Sequence, residues 1–109
     1  MIIQSKRNGD HAILELTGDL DMRSRAEFTT AVANVIGDGA SRRVLIDMSN
    51  ITFCDSTGFG ALLNVRRAAM AQGTDLRVIN LPEKVRGTLL RLGLLEYLES
   101  SALADPSTG

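Results

Sequence analysis

Cysteine, histidine, proline and aromatic residues are all scarce in this sequence. One cysteine (Cys54) among 109 residues cannot form an intrachain disulfide, so the core must hold together without a staple and a reducing, cytoplasmic setting is expected. One histidine, His11, excludes most zinc sites and leaves a His-based triad with a single candidate base. Four aromatics (Phe28, Phe53, Phe59, Tyr97) and no tryptophan offer few platforms for stacking bases. Neither sign of charge dominates: 12 basic and 13 acidic side chains leave a net charge of −1. A nucleic-acid binder, which draws its affinity from neutralising phosphates, is therefore not expected. No apolar run approaches the ~20 residues of a membrane span. The first charges, Lys6 and Arg7, follow a very short apolar stretch, unlike a signal peptide. Direct membrane insertion is not expected either.

What is present is the balance of an ordinary soluble globule, 44% hydrophobic and 23% charged. A chain of this length makes one domain and buries roughly 60–70% of its unfolded surface. Residues 1–6 and 11–17 read as two strands around Asn8-Gly9-Asp10, with Asn-Gly as a hairpin signal because both positions tolerate positive φ. Gly18-Asp19-Leu20-Asp21 is expected to end the second strand. From Arg23 to Ile36 the period becomes helical, with Phe28, Val32, Val35 and Ile36 on one stripe and Gly37-Asp38-Gly39 as the stop. Arg43 to Met48 is a short apolar run expected of a strand buried on both faces. Thr57 to Ala71 reads as a helix with Gly58, Leu62, Val65 and Ala69 on one face. Leu76 to Ile79 is another strand. Pro82 suits a helix start, Val85, Leu89 and Leu92 form that helix's stripe, and Gly93 caps it. Leu94 to Leu98 reads as a last short strand or turn, and 101–109 as a flexible tail.

The order β-β-α-β-α-β-α predicts an α/β domain over residues 1–100. Its sheet should be mixed but mostly parallel, with four to five strands, an antiparallel N-terminal edge strand and three to four packed helices. In such sheets function usually sits at the carboxyl ends of the strands. The polar cluster Asp47-Met48-Ser49-Asn50-Ile51-Thr52-Phe53-Cys54-Asp55-Ser56-Thr57-Gly58-Phe59-Gly60 falls there. As a dinucleotide fingerprint it fails, because Leu63 stands where a third glycine or alanine is needed. As a nucleophile elbow it fails, because Cys54 stands where glycine must precede the serine by two residues. An aspartic-protease loop has different spacing and belongs to an all-β fold. Simple helix capping by Ser56 is sound local chemistry, but leaves the Asp-Ser-Thr-Gly run unexplained.

Four segments together resemble a known family. They are Leu16-Thr17-Gly18-Asp19-Leu20-Asp21, Val44-Leu45-Ile46-Asp47-Met48-Ser49, Ile51 through Leu62, and Leu89-Leu90-Arg91-Leu92-Gly93-Leu94. In this order, across residues 1–100, they resemble STAS domains and, within them, bacterial anti-sigma factor antagonists. The resemblance implies a partner switch. The unphosphorylated protein binds an anti-sigma factor that is also a serine kinase, and a sigma factor is released. Phosphorylation breaks the complex and a separate serine phosphatase restores it. Ser56 takes the place of the phospho-acceptor, and Asp21 aligns with the acidic position beside it. Asp55, Thr57, Gly58, Phe59 and Gly60 complete the expected partner surface. No enzymatic activity, cofactor or metal is implied, and a monomer is expected because the helices should cover the sheet. The competing class is a STAS domain without the switch, a scaffold of a signalling complex or an accessory subunit of a membrane transporter.

Individual residues keep two readings. Gly58 and Gly60 either admit a partner closely or pack on the sheet. Phe59 is either core or contact. Thr57 is a secondary acceptor or a helix cap. Arg66 and Arg67 read as solvated, Cys54 as a small core hydrophobe, and Met22, Met48 and Met70 as core or near-core fillers.

Overall fold

Gly9 at φ +65° turns the chain between β1 (Ile2–Asn8) and β2 (His11–Leu20), which pair antiparallel from Ile2↔Thr17 to Asn8↔His11. The turn residues are thus Gly9 and Asp10, one position later than the Asn-Gly signal suggests, and only the glycine has positive φ. This computed structural model describes residues 1–37 and 41–96. The expected helix stop at Asp38-Gly39, the end of the 94–98 segment and the tail 101–109 lie outside the described residues; within that segment Leu95 and Glu96 are helical, not the expected strand or turn.

After β2 the chain forms α1 (Arg25–Gly37), β3 (Arg43–Cys54), α2 (Ser56–Ala71), β4 (Asp75–Ile79) and α3 (Glu83–Arg91). The sheet order is β1-β2-β3-β4, with β2, β3 and β4 mutually parallel. The predicted order and the antiparallel edge strand are both found. Two strands run further than the hydrophobic pattern indicates. β2 continues through Gly18, whose φ of +110° is open to glycine, as far as Leu20. β3 continues six residues past Met48 to Cys54. Its register against β2 slips twice, from Glu15↔Asp47 to Thr17↔Asn50 and from Gly18↔Ile51 to Asp19↔Phe53. Each slip inserts one extra residue into β3, as a β-bulge does. The first keeps Met48 and Ile51, three apart in sequence, both in the core.

One sheet face is the core. Leu14, Leu16, Val44, Ile46, Leu76 and Val78 are 0–1% exposed there, packed with Phe28 and Val32 of α1 and Leu62, Val65 and Ala69 of α2. Each such side chain contributes about 1.5–3 kcal/mol on burial. The predicted stripes of α1 and α2 face this core. Arg66, expected in solvent, is instead 1% exposed. It lies beside Val65 on the buried side of α2, and its guanidinium donates to the Leu76 carbonyl oxygen at 3.1 Å. Arg67 is exposed. Met48 is core, whereas Met22 and Met70 are 73% and 41% exposed. In α3, Val85 and Leu89 are buried, but Leu92 at the C-cap turns outward. Gly93 follows it at φ +73°, as a helix terminator should. Pro82 stands at the N-cap. Among the described residues no helix is long and apolar enough to cross a membrane.

Candidate functional site

β2 and β3 end side by side. Leu20 is paired with Cys54, and the Asp55 N–H donates to the Leu20 carbonyl at 3.4 Å. The next residue on each strand is an aspartate, so Asp21 and Asp55 stand together at the carboxyl edge of the sheet. Each carboxylate serves the helix that follows it. Asp21 Oδ1 accepts from the backbone N–H groups of Arg23 (2.9 Å) and Ser24 (3.2 Å) at the start of α1. Its Oδ2 lies 3.7 Å from the Arg23 guanidinium. Desolvation works against the Asp21 charge, but those N–H donors and the guanidinium outweigh it and hold the carboxyl below its ordinary range.

Asp55 is the N-cap of α2. Its backbone is extended (φ −99°, ψ −172°) and its Oδ1 accepts from the Gly58 N–H at 2.9 Å. The capping oxygen is therefore one residue earlier than Ser56, to which the sequence-level capping argument assigns it. Ser56 is the first helical residue and is exposed. Truncating the cap with Asp55→Ala is expected to cost about 1 kcal/mol, read as a lower urea midpoint with an unchanged slope.

Thr57 is half-buried, and Gly58 and Phe59 are buried. The missing side chain of Gly58 is used inward: a Cβ there would sit 2.2 Å from the Leu20 carbonyl oxygen and 2.8 Å from Cys54 Sγ. At Gly60 nothing lies within 4 Å, so only this glycine leaves room for close approach from outside. The predicted surface thus divides. Asp21, Asp55, Ser56 and Gly60 line the edge, while Gly58 and Phe59 position it from beneath.

Side chains outside the motif complete the surroundings. Phe53 is 53% exposed, one bulge away from the core alternation, and Met22 projects beside Asp21. Thr52 donates to Asp19 Oδ1 at 2.6 Å, tying the ends of β2 and β3 across the second bulge. A cavity of about 550 Å³ runs from the end of β3 to α3, lined by Phe53, Cys54, Phe59, Lys84, Thr88 and Arg91 among others. Phe53 has a signal in sequence, a large aromatic two positions before the capping aspartate. Lys84 and Arg91 have none, because only the fold brings α3 to this edge.

Cys54 is half-buried in that wall. Burial and then the neighbouring Asp55 charge push its thiol up to about 12. It is a packing group, as the sequence suggests, rather than a nucleophile. At pH 8 iodoacetamide should alkylate it roughly a thousandfold more slowly than an unhindered thiol of pKa ~8.5, and urea should restore the ordinary rate. Labelling of the native protein within minutes would contradict this environment.

Residues 3–105 match the STAS domain family. The chain belongs to that family. This STAS domain is 22% identical over 103 residues to the anti-sigma-B factor antagonist of Bacillus subtilis (strain 168), covering 94% of this chain and 93% of the relative. It also resembles the Bacillus cell fate determinant SpoIIAA in its phosphorylated form, with a TM-score of 0.71, 19% identity and coverage of 98% and 96% of the two chains. A sulfate transporter family protein from Wolinella succinogenes has the same fold, with a TM-score of 0.66, 21% identity and coverage of 82% and 71%. The resemblance read from the motifs is thus borne out for the STAS domain and for its likeness to anti-sigma factor antagonists.

Proposed function

We propose that this STAS domain is an anti-sigma factor antagonist controlled at Ser56. In its unphosphorylated form it binds an anti-sigma factor with serine-kinase activity and so frees a sigma factor. Phosphorylation of Ser56 ends the complex, and a serine phosphatase returns the protein to its binding form. The domain acts in the cytoplasm and is the substrate of these enzymes, with no catalysis of its own.

The observation that carries this reading is the exposed serine at the first position of α2, flanked by Asp55 and the end of β2 at Asp21. A kinase needs a reachable hydroxyl on a scaffold that tolerates the product. The first turn of a helix has N–H groups without helical acceptors and the positive end of the dipole. A phosphate there carries roughly −1.5 to −2 charges near pH 7 and gains about 0.3–1 kcal/mol from that environment. The fold is left standing. A partner covering the edge meets a bulky anion beside two carboxylates, and burying it without a matched cation costs several kcal/mol. Release follows from local repulsion and desolvation, with no refolding. Phe53 and Met22 supply apolar anchors at the rim of the contact.

The likeness to a sulfate transporter family protein supports a second reading, a STAS domain that acts as a fixed subunit. Pull-downs from the native host with Ser56→Ala and Ser56→Asp baits separate the two. A small ATP-binding serine kinase recovered by the alanine bait and lost with aspartate supports the switch. The same permease or scaffold proteins on both baits would overturn it.

A further inference from the structure

The cavity between the end of β3 and α3 has no task in the switch. Its volume of about 550 Å³ falls within the roughly 300–1,000 Å³ of small-molecule sites. One wall is aromatic, with Phe53 from the end of β3 and Phe59 from the first turn of α2. The facing wall is the side of α3 that carries Lys84, Gly87, Thr88 and Arg91. Three- and four-residue spacings put these on one face of the helix.

Two features set this wall apart from a merely solvated helix face. Gly87 stands in the helix interior, where only proline is less favourable, and the space it leaves opens into the cavity. A Cβ there would lie 3.6 Å from Arg91 Nη1, so the Arg91 side chain folds back along α3 over the glycine. Its Nη2 donates to Thr88 Oγ1 at 3.2 Å, and the Thr88 hydroxyl donates in turn to the Lys84 carbonyl at 3.1 Å. The guanidinium is thus positioned by a neutral group, which leaves other N–H donors of its fork for a ligand. Among the described residues neither Arg91 nor Lys84 forms an ion pair. Glu83 is the one acid of the lining, so the cavity carries a net single positive charge.

We propose that this cavity binds a small aromatic carboxylate. The ring system packs against Phe53 and Phe59, whose quadrupoles favour offset or edge-to-face contact with another ring. The carboxylate meets the planar Arg91 fork, the geometry of the strongest carboxylate hydrogen bonds. Lys84 adds a second cation two turns away on the same face. A monoanion balances the net charge of the lining, a dianion exceeds it, and a neutral ring leaves Arg91 unmatched. Phe53 and Phe59 also border the Ser56 edge, so the occupant lies beside the proposed partner surface. Binding itself does not rest on the switch, and its test uses the domain alone.

Titration of the isotope-labelled full chain with 2-naphthoate, followed by NMR, tests this. Saturable binding with a Kd on the order of 0.1–1 mM is expected, with the shifts concentrated at Phe53, Phe59, Gly87 and Thr88. 2-Naphthamide has the same shape without the charge and should bind about tenfold more weakly, and 2-naphthyl phosphate no more tightly than the carboxylate. Arg91→Gln should weaken 2-naphthoate by about five- to tenfold. Gly87→Leu fills the cavity and should weaken it by more than about tenfold, without a lower melting temperature, because leucine suits a helix better than glycine. No saturation up to about 10 mM, or binding unchanged by Gly87→Leu, would overturn the proposal, and the cavity would then belong to solvent or to a protein partner. Equal binding of the amide, tighter binding of the phosphate, or indifference to Arg91→Gln would overturn the assignment of a carboxylate.

Discussion

Ser56→Asp is expected to lower affinity for the anti-sigma partner by roughly two to four orders of magnitude, and Ser56→Ala to leave it within a few-fold. The aspartate adds a third carboxylate to an edge that already holds Asp21 and Asp55 at neighbouring strand ends. At 1.4 kcal/mol per decade, the several kcal/mol needed to bury an unmatched charge account for the loss. Stability should move the other way. An acidic side chain in the first turn of α2 interacts favourably with the helix dipole, by about 0.3–1 kcal/mol. A melting temperature equal to or above the wild type, combined with lost binding in titration calorimetry, separates release by charge from release by unfolding. Binding lost in proportion to a lowered melting temperature would contradict the mechanism.

Gly58→Ala should be among the most damaging single-methyl additions in the molecule. The new Cβ would meet the Leu20 carbonyl oxygen at 2.2 Å, and that oxygen belongs to the strand backbone that also accepts the Asp55 N–H. Neither β2 nor the start of α2 can yield without disturbing the pairing that sets Asp21 beside Asp55. Overpacking of this kind costs about 3 kcal/mol or more, a large share of the ~5–15 kcal/mol of a typical domain. The melting temperature should fall by about 10–20 °C. Gly60→Ala, two residues on in the same helix, faces open space and should stabilise by about 0.5–1 kcal/mol. Thermal unfolding of the two variants side by side distinguishes tight packing at one glycine from a general intolerance of the motif. Equal effects would show that the close approach to Leu20 is not what makes position 58 a glycine.

Much of the fold is legible in the sequence, because α1, α2 and β4 carry clean periodicities. The helix stripes Phe28-Val32-Val35-Ile36 and Leu62-Val65-Ala69 are the ones that face the core. The end of β3 is not legible, for a physical reason. A strand is recognised by a period of two, and each bulge inserts a residue that resets it. Met48 and Ile51 are both buried at a spacing of three, so Ser49 to Cys54 reads as a polar loop. β2 is hidden by Gly18, which reads as a terminator although the strand continues past it.

The same irregularities govern how well the site can be read. Ser56 and its acidic neighbours are recognisable as a motif, yet the assignment of the helix cap depends on a one-residue choice between Asp55 and Ser56. That choice is decided by the Asp55–Gly58 hydrogen bond. Arg66 shows the limit of charge as a guide to exposure. A guanidinium on the flank of a buried stripe finds a strand carbonyl, and nothing in the charge pattern of α2 announces it. The wall formed by α3 joins residues within 52–59 to residues within 83–91, far apart in sequence, and local patterning carries no information on such a meeting.

Phosphate mapping tests the central claim most directly. The chain would be recovered from its native host under conditions that hold the sigma factor inactive, and its phosphopeptides sequenced by mass spectrometry. Phosphate on Ser56, absent from the Ser56→Ala variant and removed when the host's serine phosphatase is active, is the expected result. An unmodified Ser56 in every condition, or equal phosphorylation elsewhere in wild type and variant, would contradict a switch at this serine.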